Sequence, residues 1–239
     1  MAVGCGTELG EAVPVDDGDI AQTASGIITS NPTTTNWSGN GGTRVVDLDR
    51  AVTTGDALVG VTAGERSDDP CFLKALFEDV DGGAASDRTY NNCDGAEGSL
   101  KTARLPDGYF VTGVRTCLNS AGDKVKGIQV LGKPLSCIRD PSSSVEEVVE
   151  NCHSQIVGHL EFNHCDPFVI TVPCSETELG PFFERTNCQG SNSGPDADWE
   201  TIRRCPVGKV ATSLTLHERD GGGNRDMFDG LRMVCNPVE

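Results

Sequence analysis

Aromatic and basic residues are scarce in this chain. Aromatic side chains make up 5% of its 239 residues, and 19 Lys and Arg stand against 36 Asp and Glu, which gives a formal net charge of −17. Because neutralising phosphates requires a basic surface, this balance argues against nucleic acid as a partner and against adsorption to anionic lipid headgroups. A solvated acidic surface is the simplest account of the charge. Solubility in salty surroundings and binding of divalent cations are the functional alternatives.

Long apolar runs and a leader sequence are also missing. No stretch approaches the roughly 18 apolar residues of a membrane-spanning helix, and no charged segment followed by an apolar core marks a signal peptide. Hydrophobic residues reach only 36%, whereas glycine is frequent at 29 residues. Little buried helix and many tight turns are therefore expected, which is typical of an all-β protein.

The motifs of nucleophilic and phosphate chemistry are absent from the sequence. Segment 190–194 has Asn192 where a nucleophile elbow has serine, and no glycine loop ends in Gly-Lys-Ser or Gly-Lys-Thr. A glycosidase would use two carboxylates roughly 5–10 Å apart. The 36 acidic residues offer too many such pairs for the sequence to nominate one.

Cysteine is what the chain has in excess, with 11 residues. Apart from Cys5 they form an even set of ten, which allows five disulfides and predicts an oxidising, extracellular environment. The alternative is a reduced protein with buried thiols or a zinc site, but no CxxC or CxxxxC spacing occurs. The disulfide candidates are Cys71, Cys93, Cys117, Cys137, Cys152, Cys165, Cys174, Cys188, Cys205 and Cys235.

The first residues resemble the end of a bacterial lipoprotein signal peptide. Ala2–Gly4 precede Cys5, and in that pattern the cysteine becomes the lipidated first residue. The resemblance implies a cell-surface or outer-membrane-anchored lipoprotein, whose only membrane contact is a lipid on Cys5; a free or intermolecular thiol is the alternative. Residues 1–43 hold few large apolar side chains, so they are predicted to be a flexible tether, with Ile27-Ile28 adding an edge strand.

Residues 44–239 are predicted to form one β domain built on a threefold internal repeat. The units span about 44–95, 97–137 and 196–239, and each has a turn glycine five residues before a second small residue. A polar loop and a short apolar strand follow in every unit, which predicts three antiparallel sheets around a pseudo-threefold axis, or one long meander. The small-residue pairs are Gly55 and Gly60, Gly108 and Gly113, and Gly208 and Ser213. The disulfide pairs suggested within the units are Cys71 with Cys93, Cys117 with Cys137, and Cys205 with Cys235.

A different segment, residues 138–195, separates the second and third units. Ser144 and Glu147 have the S-x-x-E form of a helix capping box, so Val145–Cys152 is predicted to be the one helix of the chain. Phe168–Val172 is predicted to be a buried strand. Four of the cysteines fall here, so the segment is expected to be a disulfide-rich insertion that caps one end of the body or carries a distinctive function.

The third unit has a characteristic order of features. Trp199 precedes a Cys205-Pro206-x-Gly208 turn, the strand Val210–Leu216, an acidic loop and the segment Asp229–Cys235. This order resembles the vitelline membrane outer layer protein I family. The resemblance implies a β-prism of three Greek-key sheets and an extracellular place in carbohydrate-rich layers. It also implies a saccharide-linked, transferase-like activity, for which no motif transfers to this chain.

Two sets of side chains are candidates for metal ions. Asp79 and Asp81 lie on a glycine-rich turn and offer oxygen ligands that suit calcium. A histidine-dense cluster could hold zinc, although polar residues on an exposed strand are the simpler account. That cluster comprises His153, His159, Glu161, His164 and Asp166. No other cofactor is expected.

These observations predict a secreted or surface-anchored, lectin-like protein that binds glycan or matrix without catalysis. Loops between strands would present polar groups and an aromatic ring to sugar hydroxyls, from Tyr90, Tyr109 or Trp199, the last also being a core candidate. The expected partner is an extracellular polysaccharide or glycoprotein. The alternatives are a polysaccharide-acting enzyme that uses a carboxylate pair and a structural module that engages other surface proteins. The ligand-binding candidates are Asp123, Asp220, Asn224, Asp226 and Asp229.

Overall fold

A computed structural model describes residues 26–28, 30–49, 55–66, 69–83, 85–94, 100–119, 121–157, 160–174, 199–220 and 226–239. These residues form 14 β-strands and one five-residue helix, which confirms the all-β prediction. The helix is not long and apolar enough to cross a membrane.

The strands occur along the whole of the described chain. In order they are β1 (Thr33–Thr34), β2 (Ser38–Gly39), β3 (Val45–Asp49), β4 (Asp56–Arg66), β5 (Asp69–Asp79), β6 (Arg88–Asn91), β7 (Lys101–Arg104), β8 (Tyr109–Leu118), β9 (Val125–Pro134), β10 (Ser144–Val157), β11 (Leu160–Pro173), β12 (Arg203–Arg204), β13 (Lys209–Asp220) and β14 (Asp226–Pro237). Helix α1 (Leu135–Arg139) lies between β9 and β10.

Three antiparallel sheets each contain one long hairpin. The first sheet has the order β6-β5-β4-β7, and the second has the order β12-β8-β9. The third has the order β1-β14-β13-β3, with β2 also paired to β14. Strands β4, β8 and β13 contact one another pairwise, so the three sheets face a common interior. A separate two-stranded ribbon consists of β10 and β11.

The three long hairpins share their backbone details, which correspond to the repeat seen in the sequence. A glycine with positive φ precedes the first strand of each hairpin, at Gly55 (76°), Gly108 (79°) and Gly208 (77°). Each first strand then has a register shift at the second small residue of the repeat. The shifts lie at Leu58/Gly60, Val111/Gly113 and Ala211/Ser213. Because a bulge bends its strand and increases the local twist, equivalent bulges curve the three hairpins in the same way.

The core is formed by the inward faces of these hairpins. Leu214, Leu216, Leu231 and Met233 are fully buried, whereas Arg232 between the last two is only half-buried. Such alternation is typical of a strand with one face on a core. The buried cluster continues through all three sheets, with Leu58, Leu73, Val111, Val114, Ile128 and Phe228 among its members. Each such side chain contributes about 1.5–3 kcal/mol relative to an exposed one, so the core is the main source of stability.

Disulfides close two of the three repeat units as predicted. Cys71 bonds Cys93, and Cys205 bonds Cys235. Three disulfides among the described residues suggest an oxidising environment.

The predicted pairing of Cys117 with Cys137 is wrong, because Cys137 bonds Cys174. Cys117 lies near the tip of the second hairpin, where its register partner is Gly127, and Cys137 follows the other end of β9. At roughly 3.3 Å per residue the two cysteines are much farther apart than the ~7 Å limit for a disulfide. Cys117 is also disulfide-bonded. The Cys137–Cys174 bond instead ties the β10–β11 ribbon to α1.

The predicted helix at Val145–Cys152 is wrong, because this segment belongs to β10. Val148 and Val149 are register partners of Val169 and Phe168. Such β-branched and aromatic pairs favour the extended state over a helix that only a capping box would initiate. The strand predicted at Phe168–Val172 is confirmed within β11.

The segment before residue 44 contributes to the third sheet. Thr33 and Thr34 pair with Cys235 and Val234 of β14, and β2 pairs with the same strand. Ile27 forms an isolated bridge with Val238. The ordered domain therefore begins well before the boundary that composition predicts, because short polar strands need only a partner edge to be ordered.

Candidate functional site

The tips of the three long hairpins meet at one end of the molecule. Arg219 Nη1 lies 3.3 Å from Asp123 Oδ2, which joins the third tip to the second. Lys124 Nζ lies 2.7 Å from Asp69 Oδ1, which joins the second tip to the first. We call this surface the hairpin end. It comprises Asn40, Arg44, Glu65, Arg66, Asp69, Tyr90, Asn92, Asn119, Asp123, Lys124, Glu218, Arg219, Asp220 and Asp226.

Two carboxylates share one guanidinium at the hairpin end. Arg44 Nε donates to Glu218 Oε2 at 2.8 Å, and its Nη2 donates to Asp226 Oδ2 at 2.5 Å. The hydroxyl of Tyr90 donates to Glu218 Oε1 at 3.0 Å, and Asn92 Nδ2 donates to Asp226 Oδ2 at 3.1 Å. The exposed fractions of the Glu218 and Asp226 side chains are 12% and 26%. This network therefore fixes two acids of the third sheet against the first sheet.

The environment determines the protonation of two members of this network. Burial raises the pKa of Tyr90 well above its usual value, and the charges of Glu218 and Asp226 raise it further, although the hydrogen bond from Asn92 acts in the opposite direction. Desolvation acts to lower the pKa of Arg44, but hydrogen bonds and charges from Asp226 and Glu218 outweigh it and raise that pKa. Tyr90 is therefore a neutral donor and Arg44 a fixed cation.

Asp229, a predicted ligand-binding residue, is buried and contacts other parts of the protein. Its Oδ1 lies 2.6 Å from His217 Nδ1, and the two side chains are 4% and 16% exposed. Asn40 Nδ2 donates to Asp229 Oδ2 at 3.3 Å. The ring of His217 meets Trp37 edge-on, with 5.9 Å between centroids. Asp229 thus orients His217 and supports the hairpin end from below.

The other predicted ligand-binding residues lie nearer the solvent. Asp123 accepts a hydrogen bond from Asn119 Nδ2 at 2.8 Å, and this bond is the main reason that its pKa is lowered. Asp220 is exposed at the end of β13, where its register partner is Asp226. Asn224 lies outside the described residues. The structure therefore brings Asp123, Asp220 and Asp226 to one surface.

The predicted calcium ligands lie elsewhere, at the end of β5 and in the turn that follows it. Asp79 Oδ1 accepts a hydrogen bond from the backbone N–H of Asp81 at 2.8 Å, so Asp79 stabilises its own turn. Asp79 also lines a cleft of about 660 Å³ with Asp87 and Arg104. Within the described ranges no group of three or more His, Cys, Asp or Glu is arranged to hold a metal ion. Calcium stays a hypothesis that requires an experiment.

The remaining predicted residues lie in the ribbon, near β12 or outside the described chain. His153 and His164 are register partners in the β10–β11 ribbon, whereas His159 and Cys5 lie outside the described residues. Trp199 is half-buried, with the guanidinium of Arg115 5.0 Å from its ring centroid. The zinc site and the lipid attachment therefore stay predictions.

Comparisons with protein-family models, with curated proteins and with solved structures give no match to this chain. The resemblance to the vitelline membrane outer layer protein I family therefore rests on the residues of the third unit alone.

Sequence reasoning missed several members of the hairpin end. Arg44 and Glu218 are 174 positions apart, and Asn40 and Gly122, whose carbonyl it contacts at 2.7 Å, are 82 positions apart. No local motif joins such residues, and Asn40 lies in the segment interpreted as a tether. One signal in the sequence could have pointed to Glu218. It lies two positions before Asp220, which was chosen as a candidate because its surroundings are acidic and rich in glycine.

Proposed function

We propose that this chain is an extracellular, lectin-like protein that binds glycans through the hairpin end, without catalysis. The observation that carries the proposal is the convergence of three hairpin tips, one from each sheet, into a surface of amide, carboxylate and guanidinium groups. Sugar hydroxyls both donate and accept hydrogen bonds, so they require such mixed partners. Because the groups are held by one another, little side-chain entropy is lost when a ligand binds.

A β-prism architecture, membership of the vitelline membrane outer layer protein I family and a lipid on Cys5 belong to the same proposal. The three equivalent hairpins and the motif of the third unit support the first two. The disulfides support a secreted or surface-anchored location. The expected partner is then a polysaccharide or glycoprotein outside the cell.

A glycan array with the full chain tests this function. It should contain chitin oligomers and peptidoglycan fragments and be run once with calcium and once with chelator. We expect selective binding, which Asp123→Asn weakens about tenfold because a carboxylate acceptor at the hairpin end is lost.

The matched control is Asp107→Asn, since Asp107 is exposed and precedes β8 at the opposite end of the same hairpin. It should bind as the wild type does. Loss of binding with chelator would add calcium to the site, and a blank array under both conditions would contradict the function.

The enzyme alternative has one observation in its favour, which is the carboxylate pair of Glu218 and Asp226 on either side of Arg44. A glycosidase acts through two such carboxyl groups. New reducing ends formed from a bound polysaccharide, and lost in Glu218→Gln, would favour the enzyme. Binding without product supports the lectin-like function.

A further inference from the structure

A cavity of about 160 Å³ lies away from the hairpin tips, where the second hairpin, helix α1 and the turn before β13 meet. Its wall includes Thr112 of β8, Lys133 of β9 and Arg204 of β12. The volume is several times the roughly 30 Å³ of one water molecule, but it is below the roughly 300 Å³ at which sites for drug-sized ligands begin. The cavity therefore suits a small ion or a single charged group.

The charged side chains that line this cavity are all cationic. Lys133, Arg204 and Lys209 belong to its wall, and none of the aspartates and glutamates among the described residues does. The ammonium of Lys133 donates to the carbonyl oxygen of Cys174 at 3.1 Å, which is an acceptor without a full charge. In a chain with 36 acidic residues, a cavity lined by cations alone favours an anionic ligand.

The three cations differ in the donors that they can offer to a ligand. Lys209 Nζ already donates twice, to the carbonyl oxygen of Asn31 and the hydroxyl of Thr33, each at 2.6 Å. Lys133 uses one of its three N–H donors in the bond to the backbone. Arg204 is exposed and has an interaction of its own, but a guanidinium carries five N–H donors in a planar fork. We therefore assign the contacts with an anion to Lys133 and Arg204.

The hydroxyl of Thr112 is an independent indication of a ligand. Thr112 lines the cavity and is 8% exposed, and its Oγ1 is buried without a hydrogen bond to the described part of the chain. Thr212 has the same position after the turn glycine of the third unit, and its hydroxyl accepts a hydrogen bond from Asn236 Nδ2 at 2.6 Å. A buried hydroxyl without a partner costs free energy. A ligand that accepts its hydrogen bond removes this cost.

We propose that the cavity binds a tetrahedral oxyanion, phosphate or sulfate, through the hydroxyl of Thr112, the ammonium of Lys133 and the guanidinium of Arg204. All three groups donate hydrogen bonds, and they come from three different strands, so they suit an ion whose oxygens point in several directions. The site is separate from the hairpin end and does not depend on the proposed function. A bound anion would join the second hairpin to β12 and stabilise the folded protein.

Calorimetric titration of the full chain with inorganic phosphate and with sulfate tests the proposal, with ionic strength held constant by sodium chloride. Methyl phosphate is the third probe, and it shows whether the cavity also accepts the end of a larger molecule. We expect at least one of the three oxyanions to bind and to raise the melting temperature as its concentration increases. Lys133→Gln and Arg204→Gln should each weaken this binding about tenfold or more, because a charge-assisted hydrogen bond is lost.

Thr112→Val separates an anion from a buried water molecule as the partner of the hydroxyl. With an anion as partner, the variant should bind it about tenfold more weakly. In buffer that contains only chloride, the same variant should be as stable as the wild type, because a group without a partner has been removed. A lower melting temperature in chloride together with unchanged oxyanion binding would overturn the site, since water would then satisfy Thr112.

The matched control is Lys74→Gln, which removes the same charge from β5 of the first sheet, where Lys74 Nζ lies 2.6 Å from Asp87 Oδ2. This variant should bind as the wild type does, and an equal loss would mean that the anion responds to overall charge alone. Unchanged binding in both Lys133→Gln and Arg204→Gln would overturn the location. Absence of binding by all three oxyanions would overturn the proposal and leave the lectin-like function as it stands. Melting temperatures in chloride establish that each variant is folded.

Discussion

Tyr90 shows how one buried side chain connects two sheets. Its ring packs edge-on against Phe228 with 6.3 Å between centroids, and its hydroxyl reaches Glu218. The sequence predicted an exposed aromatic ring for sugar contacts, whereas the residue is only 8% exposed. Tyr90 therefore supports the hairpin end from the core side, and its hydroxyl is the part that belongs to the polar network.

The raised pKa of Tyr90 predicts a specific loss of stability at alkaline pH. A raised pKa means that the folded state holds the proton more tightly, so the contribution is complete below the unfolded value of about 10 and decreases as pH rises toward the folded pKa. Between about pH 9 and about pH 11, the free energy of unfolding measured with urea should fall more for the wild type than for Tyr90→Phe.

At neutral pH the Tyr90→Phe variant should be less stable by about 1 kcal/mol, because the hydrogen bond to Glu218 is lost. Ultraviolet titration of tyrosinate gives an independent check, since the variant should lack the step at the highest pH. An equal alkaline loss in both proteins would show that Tyr90 ionises as a free tyrosine does.

The candidate site was predictable only in part, for a reason that single residues make clear. Asp123 and Asp226 were found because acidic residues on glycine-rich turns tend to be exposed, and both lie at the hairpin end. Asp229 meets the same criterion but is buried. Its burial could not be predicted, because its partner Asn40 is 189 positions away in the sequence. Arg44 was missed since nothing in the local sequence shows that it meets Glu218, 174 positions away.

The repeat of the three long hairpins is the feature of the fold that is most clearly visible in the sequence. Turn glycine, bulge and second strand recur in order, so three sheets could be predicted from spacing. The ribbon of β10 and β11 could not, because its capping-box signal competes with the cross-strand pairing of Val145–Val149. A local sequence signal predicts the secondary structure of a segment correctly when tertiary pairing favours the same structure, and incorrectly when it favours another.

Replacing glycine by alanine at the equivalent bulges of β4 and β8 should change stability by different amounts. A Cβ at Gly60 would lie 2.8 Å from the Cα of Arg104 and closer still to the carbonyl oxygen of Ala103, both backbone atoms. A Cβ at Gly113 would meet its nearest neighbours, the side chains of Ile202 and Leu131, at 3.4 Å. Gly60→Ala should therefore destabilise by about 1–3 kcal/mol through overpacking.

Gly113→Ala is the matched control and should cost under about 1 kcal/mol, since side chains adjust more easily than backbone. Ser213 already has a Cβ at the third equivalent position. Urea midpoints of the two variants give the comparison. Equal midpoints would mean that the first sheet can move away from the new methyl group.

The charge of the whole molecule predicts how salt affects its stability. With a net charge of −17, we expect repulsion within the folded state to outweigh the ion pairs of the described residues, most of which are partly exposed. Raising sodium chloride from about 0.01 M to about 0.15 M shortens the screening length from about 30 Å to about 8 Å. The melting temperature should therefore rise over this range.

Potassium chloride should give the same rise, since screening does not depend on which monovalent cation is used. A melting temperature that falls with either salt would show that local pairs such as Arg44 with Asp226 outweigh the overall repulsion.

The pairing of β1 with β14 has a consequence for the order in which the chain can fold. Thr35 accepts a hydrogen bond from the backbone of Met233, a contact between residues 198 positions apart. During synthesis β1 and β2 have no edge to join until β14 has emerged, so we expect the third sheet to be completed after the other two. Contacts of this sequence separation are entropically slow to form. The two ends of the described chain meet in one sheet, so a circular permutant that links them and opens elsewhere would convert the slowest closure into a local one.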